Sequence, residues 1–216
     1  MSSRDNILQR IRTELRKAPA PEQPPVPEVW PRMNPSSEQL VEQFTTALEQ
    51  VDGEVIRCGS MEEARRKVTE LAEQLDAKPV GAVDCPACRD LLSDFPADRV
   101  AWTRDGWDPK QMAQLPAGLV AAELLLADTG TCVVVNDTAE QRLMCYLPPV
   151  CLVVARVDRL FEHMPAAWEE IARRTAEPQQ RGEFVFITGP SRTADIEKIL
   201  ILGVHGPRRL MVILVG

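Results

Sequence analysis

Histidine, tyrosine and long apolar runs are scarce in this chain, and each scarcity removes a class of function. Two histidines, His163 and His205, and one tyrosine occur among 216 residues. A structural zinc needs about four ligands. Beside the Cys-x-x-Cys pair Cys85-Pro86-Ala87-Cys88 there is no second such pair and there are only His163 and His205, so no metal is expected. The pair's spacing also suits redox chemistry, but no aromatic precedes it in thioredoxin fashion, and no role is assigned to it. No apolar run approaches the roughly 20 residues that span a bilayer. The first residues are polar and charged, unlike a signal-peptide core, so no membrane span and a cytoplasmic location are expected. The six cysteines then read as reduced thiols, with Cys132 and Cys151 acting as small hydrophobes. Neither Gly-x-x-x-x-Gly-Lys nor Gly-x-Gly-x-x-Gly occurs, and no cysteine spacing suits an iron–sulfur cluster, so no cofactor is expected on this chain. A net charge of −7 leaves no uniform basic face for nucleic acid.

What is present is ordinary globular composition, 44% hydrophobic and 26% charged, long enough for one good-sized domain. Residues 3–17 have helical spacing at Ile7, Ile11 and Leu15, predicting an N-terminal amphipathic helix over 1–17. Seven of the 18 prolines fall between Ala18 and Pro35, which reads as an extended connector over 18–35. The body, 36–216, opens on Ser36 and Gln39, a capping box before a helix from Leu40 to Val51. Ser60 and Glu63 give a second box before a helix to Leu75. Strands are expected at 54–57, 79–83, 100–102, 150–155, 183–188 and 209–215, with helical pieces near 88–93 and 166–175. This alternation predicts a mainly parallel sheet with helices on both faces. Two further apolar runs, Leu119–Ala127 and Cys132–Val135, flank Asp128-Thr129-Gly130-Thr131 and read as a buried hairpin. Glu123 is the acid inside the first run. It should be paired with an arginine or have its pKa raised, since burying a lone carboxylate is costly.

The segment Thr188-Gly189-Pro190-Ser191-Arg192-Thr193 carries the densest functional signal. A strand ends at Gly189-Pro190, and a helix is expected from Ser191 or Thr193 to Gly203. The free N–H groups of such a helix start can hold an anion. Arg192 at the positive end of the dipole costs roughly 0.3–1 kcal/mol, a penalty an anion would remove. The plain alternative is a turn followed by an ordinary N-cap. The tip Thr129-Gly130-Thr131 is the expected companion of Ser191, giving a pocket of Thr129, Gly130, Thr131, Gly189, Ser191, Arg192 and Thr193 for a small carboxylate or phosphate. With the last strand parallel, His205 should lie at the opposite sheet edge, away from Ser191.

Ala127-Asp128-Thr129-Gly130-Thr131, Arg142 with Leu147-Pro148, and Thr188–Glu197 with Gly203-Val204-His205-Gly206-Pro207 together resemble the LUD-domain family and its short lactate-utilization members, across roughly Gln39 to Val215. The resemblance implies a three-layer α/β/α fold similar to that of sugar-phosphate isomerases and CoA transferases. It implies a part in oxidising L-lactate to pyruvate alongside iron–sulfur partner proteins. Relatives usually carry histidine where this chain has Cys151.

Three functions follow. The first is a non-redox component of a lactate-utilization system, with iron–sulfur clusters on its partners. The second is a stand-alone isomerase or acyl-CoA transferase with Glu123 as base or nucleophile, His205 being a further acid–base candidate. The third is a scaffold whose N-terminal helix docks a partner.

Overall fold

The computed structural model describes residues 3–17, 30, 33–76, 79–176, 183–194 and 200–216. Its contacts divide the chain into two units, Met1–Pro31 and Arg32–Gly216. In the first unit, helix α1 (Ser3–Lys17) exposes Ile7, Ile11 and Leu15. Most of the proline-dense connector lies outside the described residues.

The second unit runs α2 (Ser37–Glu49), β1 (Glu54–Cys58), α3 (Met61–Gln74), β2 (Val80–Ala82), α4 (Pro86–Leu91), β3 (Val100–Trp102), α5 (Pro109–Met112), β4 (Gly118–Ala121), β5 (Leu124–Leu126), β6 (Thr131–Asn136), α6 (Ala139–Met144), β7 (Val150–Arg156), β8 (Leu160–Phe161), α7 (Met164–Ala176), β9 (Glu183–Ile187), β10 (Arg192–Ala194), β11 (Leu200–Leu202) and β12 (Arg209–Val215). Six strands form a parallel sheet in the order β1-β12-β7-β4-β2-β3. Four others form a second, mixed sheet, β8-β5-β6-β9.

Local chemistry sets the helix starts. The side chain of Ser36 accepts from Gln39 N–H while that of Gln39 accepts from Ser36 N–H, a complete capping box. Ser60 caps α3 through Glu63 N–H, but the Glu63 carboxylate accepts from Gly59 N–H instead of Ser60, so the second box is only half formed. Val41, Phe44 and Leu48 of α2, and Ala64, Val68, Leu71 and Ala72 of α3, lie on the buried stripe that helical spacing predicts.

The apolar run 119–127 is divided between two sheets. β4 pairs with β7 in the parallel sheet, the chain breaks at Ala122-Glu123, and β5 pairs with β6 in the second. Only the latter half forms the expected hairpin. Its tip packs on α2: Gly130 has φ +63°, and a Cβ there would lie 2.4 Å from the Leu48 backbone nitrogen. Thr131 beside it is buried, and its hydroxyl lies 2.7 Å from those of both Thr129 and Thr188.

The helix expected from Ser191 or Thr193 to Gly203 is not formed. β10 and β11 pair antiparallel, Thr193 opposite Ile201; residues 195–199 lie outside the described residues. Ser191 N–H donates to Pro207 and Ser191 C=O accepts from Gly203 N–H, extending the pairing beyond the strands. β-branched Thr193 suits this arrangement. Helical spacing in a short segment is a weak prior that tertiary pairing overrides.

α7 is held over the second sheet by charge. Glu170 accepts from Arg159 at 2.9 Å and from Arg173 at 2.8 Å. Those bonds hold its carboxyl at about 2, below the ordinary 4.5.

Two stability outcomes are expected. Gly130→Ala should cost at least about 1–3 kcal/mol, because both the left-handed backbone and the Leu48 contact oppose a side chain; a urea midpoint equal to wild type would refute this. Glu170 stabilises the fold fully above about pH 4.5, and that contribution disappears as the pH falls toward 2. Acid unfolding of Glu170→Gln should lack that part of the pH dependence.

Candidate functional site

The residues expected to form one anion cradle are placed differently by the structure. Thr129 and Thr131 turn their hydroxyls toward each other and toward Thr188. Arg192 donates to Asp52 at 2.5 Å, an ion pair spanning 140 residues of sequence. With no helix at 193, the cradle of free N–H groups that the sequence suggested has no structural basis, and Ser191 N–H is taken by Pro207.

Gly189 and Ser191 instead meet the second motif. Because β10 and β11 fold back as a hairpin, the loop 203–207 returns beside residues 189–191, and a Cβ on Gly206 would lie 3.0 Å from Ser191 Cβ. Ser191 and His205 therefore line one pocket of about 200 Å³, with Tyr146, Thr188 and Gly189 around it. This reverses the expectation that they lie too far apart to share a ligand. β9, which delivers Gly189, is not in the parallel sheet at all: it pairs antiparallel with β6. Its end reaches the amino ends of β7 and β12, where Cys145 and Leu210 complete the pocket.

The pocket offers hydrogen-bond donors. Partial burial raises the Tyr146 phenol above its ordinary value, so it stays a neutral O–H donor at physiological pH. The exposed imidazole of His205 and the half-buried hydroxyl of Ser191 add two more groups able to donate. Tyr146 had no sequence signal except its place just before Leu147-Pro148.

A larger cavity of about 510 Å³ occupies the opposite, carboxyl edge of the parallel sheet. Val83 and Asp84 follow β2, Ala121 to Glu123 end β4, and Arg156 ends β7 there. Open α/β sheets present ligand crevices at this edge. Glu123 is partnered, as the ion-pair reading anticipated: its Oε1 accepts from Arg159 at 3.0 Å and from Arg174. Arg159 also bonds the Glu123 carbonyl at 3.0 Å and Glu170 at 2.9 Å. Two guanidiniums engage one oxygen of this carboxylate and hold it as an ion-pair partner.

Cys85 lines this cavity and Cys88 lies behind it, fully buried. Hydrogen bonds from the Cys88 thiol and from the Cys88 and Ala87 amides hold the Cys85 thiol down at about 7, against an ordinary 9.0. Burial pushes the thiols of Cys58, Cys132, Cys145 and Cys151 up. Cys151 pairs within β7 against Leu210 and Gly118, where it is a core side chain. Among the described residues, no helix is long and apolar enough to cross a membrane.

Comparison with known proteins places this architecture. The chain is 27% identical to an uncharacterized protein of Neisseria meningitidis over 223 aligned positions, covering 99% of this chain and 93% of that one. It is 31% identical to lactate utilization protein C of Geobacillus thermodenitrificans over 137, covering 58% and 55% of the two chains. The corresponding Bacillus pumilus protein is 33% identical over 103, covering 47% and 43%. The alignments to these two lactate utilization proteins thus span about half of each relative. A crystal structure of a DUF162 family protein from Deinococcus radiodurans superposes with a TM-score of 0.58 at 18% identity, over 84% of this chain and 99% of that one, which shows the shared fold. The LUD domain profile matches residues 41–215, the whole of both sheets, and the chain belongs to the LUD domain family.

Proposed function

We propose that this protein is a component of a lactate-utilization system and that the Ser191–His205 pocket receives a small hydroxy- or oxo-carboxylate. The role is supported by the relatives named lactate utilization protein C. The pocket assignment is carried by one observation: Gly189 and Ser191 of one motif and His205, Gly206 and Pro207 of the other line the same small cavity with Tyr146.

The chemistry suits a ligand such as L-lactate or pyruvate. Its carboxylate would take hydrogen bonds from the Ser191 hydroxyl and the His205 imidazole N–H, while Tyr146 donates to the neighbouring oxygen. Ile187 and Leu210 supply an apolar wall for a methyl group. In this reading the chain binds and presents the carboxylate, and the electrons pass to iron–sulfur clusters on partner proteins. The double ion pair of Glu123 favours this over an isomerase or acyl-CoA transferase that uses Glu123 as nucleophile.

Ser191→Ala and His205→Ala should each weaken L-lactate or pyruvate binding about tenfold, or about 1.4 kcal/mol, measured by titration calorimetry on the full chain. Equal heats for wild type and variants would exclude this pocket. Deleting the gene should abolish growth on L-lactate and spare growth on glucose; undiminished growth on L-lactate would overturn the role.

A further inference from the structure

The cavity at the carboxyl edge contains chemistry that the lactate reading does not use. Cys85 and Cys88 are separated by Pro86 and Ala87, Cys85 standing at the N-cap of α4 and Cys88 in its first turn. Their exposures differ in a useful way. Cys85 is half-buried and lines the cavity, whereas Cys88 is 0% exposed, its sulfur 4.0 Å from the Leu119 carbonyl. A partner entering the cavity therefore meets Cys85, while burial shields Cys88 from it. That division of labour is what thiol–disulfide exchange requires: one accessible attacking sulfur and one shielded resolving sulfur.

The surroundings fix the pair and suggest the partner. Arg89 bonds both oxygens of Asp84, at 2.5 and 2.7 Å, and stacks on Trp102 at 4.9 Å, anchoring α4 from both sides. The charged groups facing the cavity are of both signs: Asp84, Glu123 and Asp137 against Arg156 and Arg159. Asp84, Glu123 and Arg159 are held in ion pairs, whereas the Arg156–Asp158 pair is exposed and worth little. A ligand carboxylate can therefore exchange onto Arg156 while an ammonium group faces Asp137, and the volume suits a small molecule rather than a folded protein.

We propose that Cys85 and Cys88 form a thiol–disulfide exchange centre that reduces a small zwitterionic disulfide bound in this cavity. The Cys85 thiolate attacks one sulfur of the disulfide, the S–S bond breaks, and one thiolate leaves and takes a proton from solvent. Cys88 then gives its proton to solvent and attacks Cys85 Sγ, expelling the second thiolate, which takes up a proton from solvent, and closing a Cys85–Cys88 disulfide. Two electrons pass from the dithiol to the substrate, giving two thiols, and an excess of a thiol reductant reverses the exchange. This reading is independent of the lactate pocket, which lies at the other edge of the sheet.

The test uses the full-length protein with glutathione disulfide as the charged probe and hydroxyethyl disulfide as the uncharged one. After acid quenching and alkylation, peptide mass spectrometry should find a Cys85–Cys88 linkage in wild type, reversed by dithiothreitol. Cys88→Ala should accumulate one glutathionyl group on Cys85, and Cys85→Ser should lose all exchange. Glutathione disulfide should react at least about tenfold faster than hydroxyethyl disulfide, a preference that Arg156→Ala reduces. At pH 7, with half of Cys85 ionised, iodoacetamide should label it roughly fivefold faster than an ordinary thiol, the rate rising through a midpoint near 7. If Cys88→Ala fails to fold, the wild-type linkage still decides. No Cys85–Cys88 linkage in wild type, or adducts spread over the other cysteines, would overturn the exchange centre. Equal rates for the two probes would overturn the zwitterionic substrate.

Discussion

The molecule depends on the insertion of its last strand into the middle of the parallel sheet. β12 pairs along its full length with β7, from Arg209 opposite Val150 to Val215 opposite Arg156, and on its other side with β1, from Glu54 opposite Met211 to Cys58 opposite Val215. Six of its seven residues, Leu210 to Val215, are buried. Apolar side chains on both faces of a strand are compatible only with a central, covered position. Removing this strand would separate β1 from the rest of the sheet and leave two unpaired edges, so the early α2–β1–α3 segment is completed only by residues at the end of the chain.

The same insertion organises the two cavities. The amino end of β12 supplies Leu210 to the Ser191–His205 pocket, while the carboxyl ends of its neighbour β7 and of β4 beyond it supply Arg156 and Glu123 to the larger one. The two sites therefore sit at opposite edges of one rigid layer and have different chemistry. One is small, with neutral and histidine donors. The other holds paired charges and the dithiol. The break at Ala122-Glu123 joins the layers: leaving the first sheet there, the chain turns Glu123 toward Arg159 and Arg174, and those guanidiniums tie the second sheet and α7 to the break.

Local signals in the sequence are decisive where a single element can satisfy them. Ser36 and Gln39 lie three residues apart and cap α2 reciprocally, so the box needs no partner from elsewhere. Glu123, an acid in an apolar run, needed a cationic neighbour, and the run's composition alone implied one. A segment that satisfies two patterns is not settled locally. The sequence 193–202 has apolar residues at helical spacing, yet Arg192–Ala194 and Leu200–Leu202 pair as strands. The Ser191 bonds to Gly203 and Pro207 belong to the hairpin. Leu119–Ala127 looked like one strand because both of its halves are buried, though in different sheets.

By itself the sequence determined the fold class, the capped helices, the buried strand set and the family motifs, because periodicity, capping and apolar runs are encoded within a few neighbouring residues. Only the tertiary structure decided which motifs share a ligand site. Ser191 meets His205 because a hairpin replaces a helix, and Cys85 faces a cavity because β2, β4 and β7 end beside it. Such meetings depend on strand order and direction, which long-range hydrogen-bond pairing fixes and which no short window of residues contains.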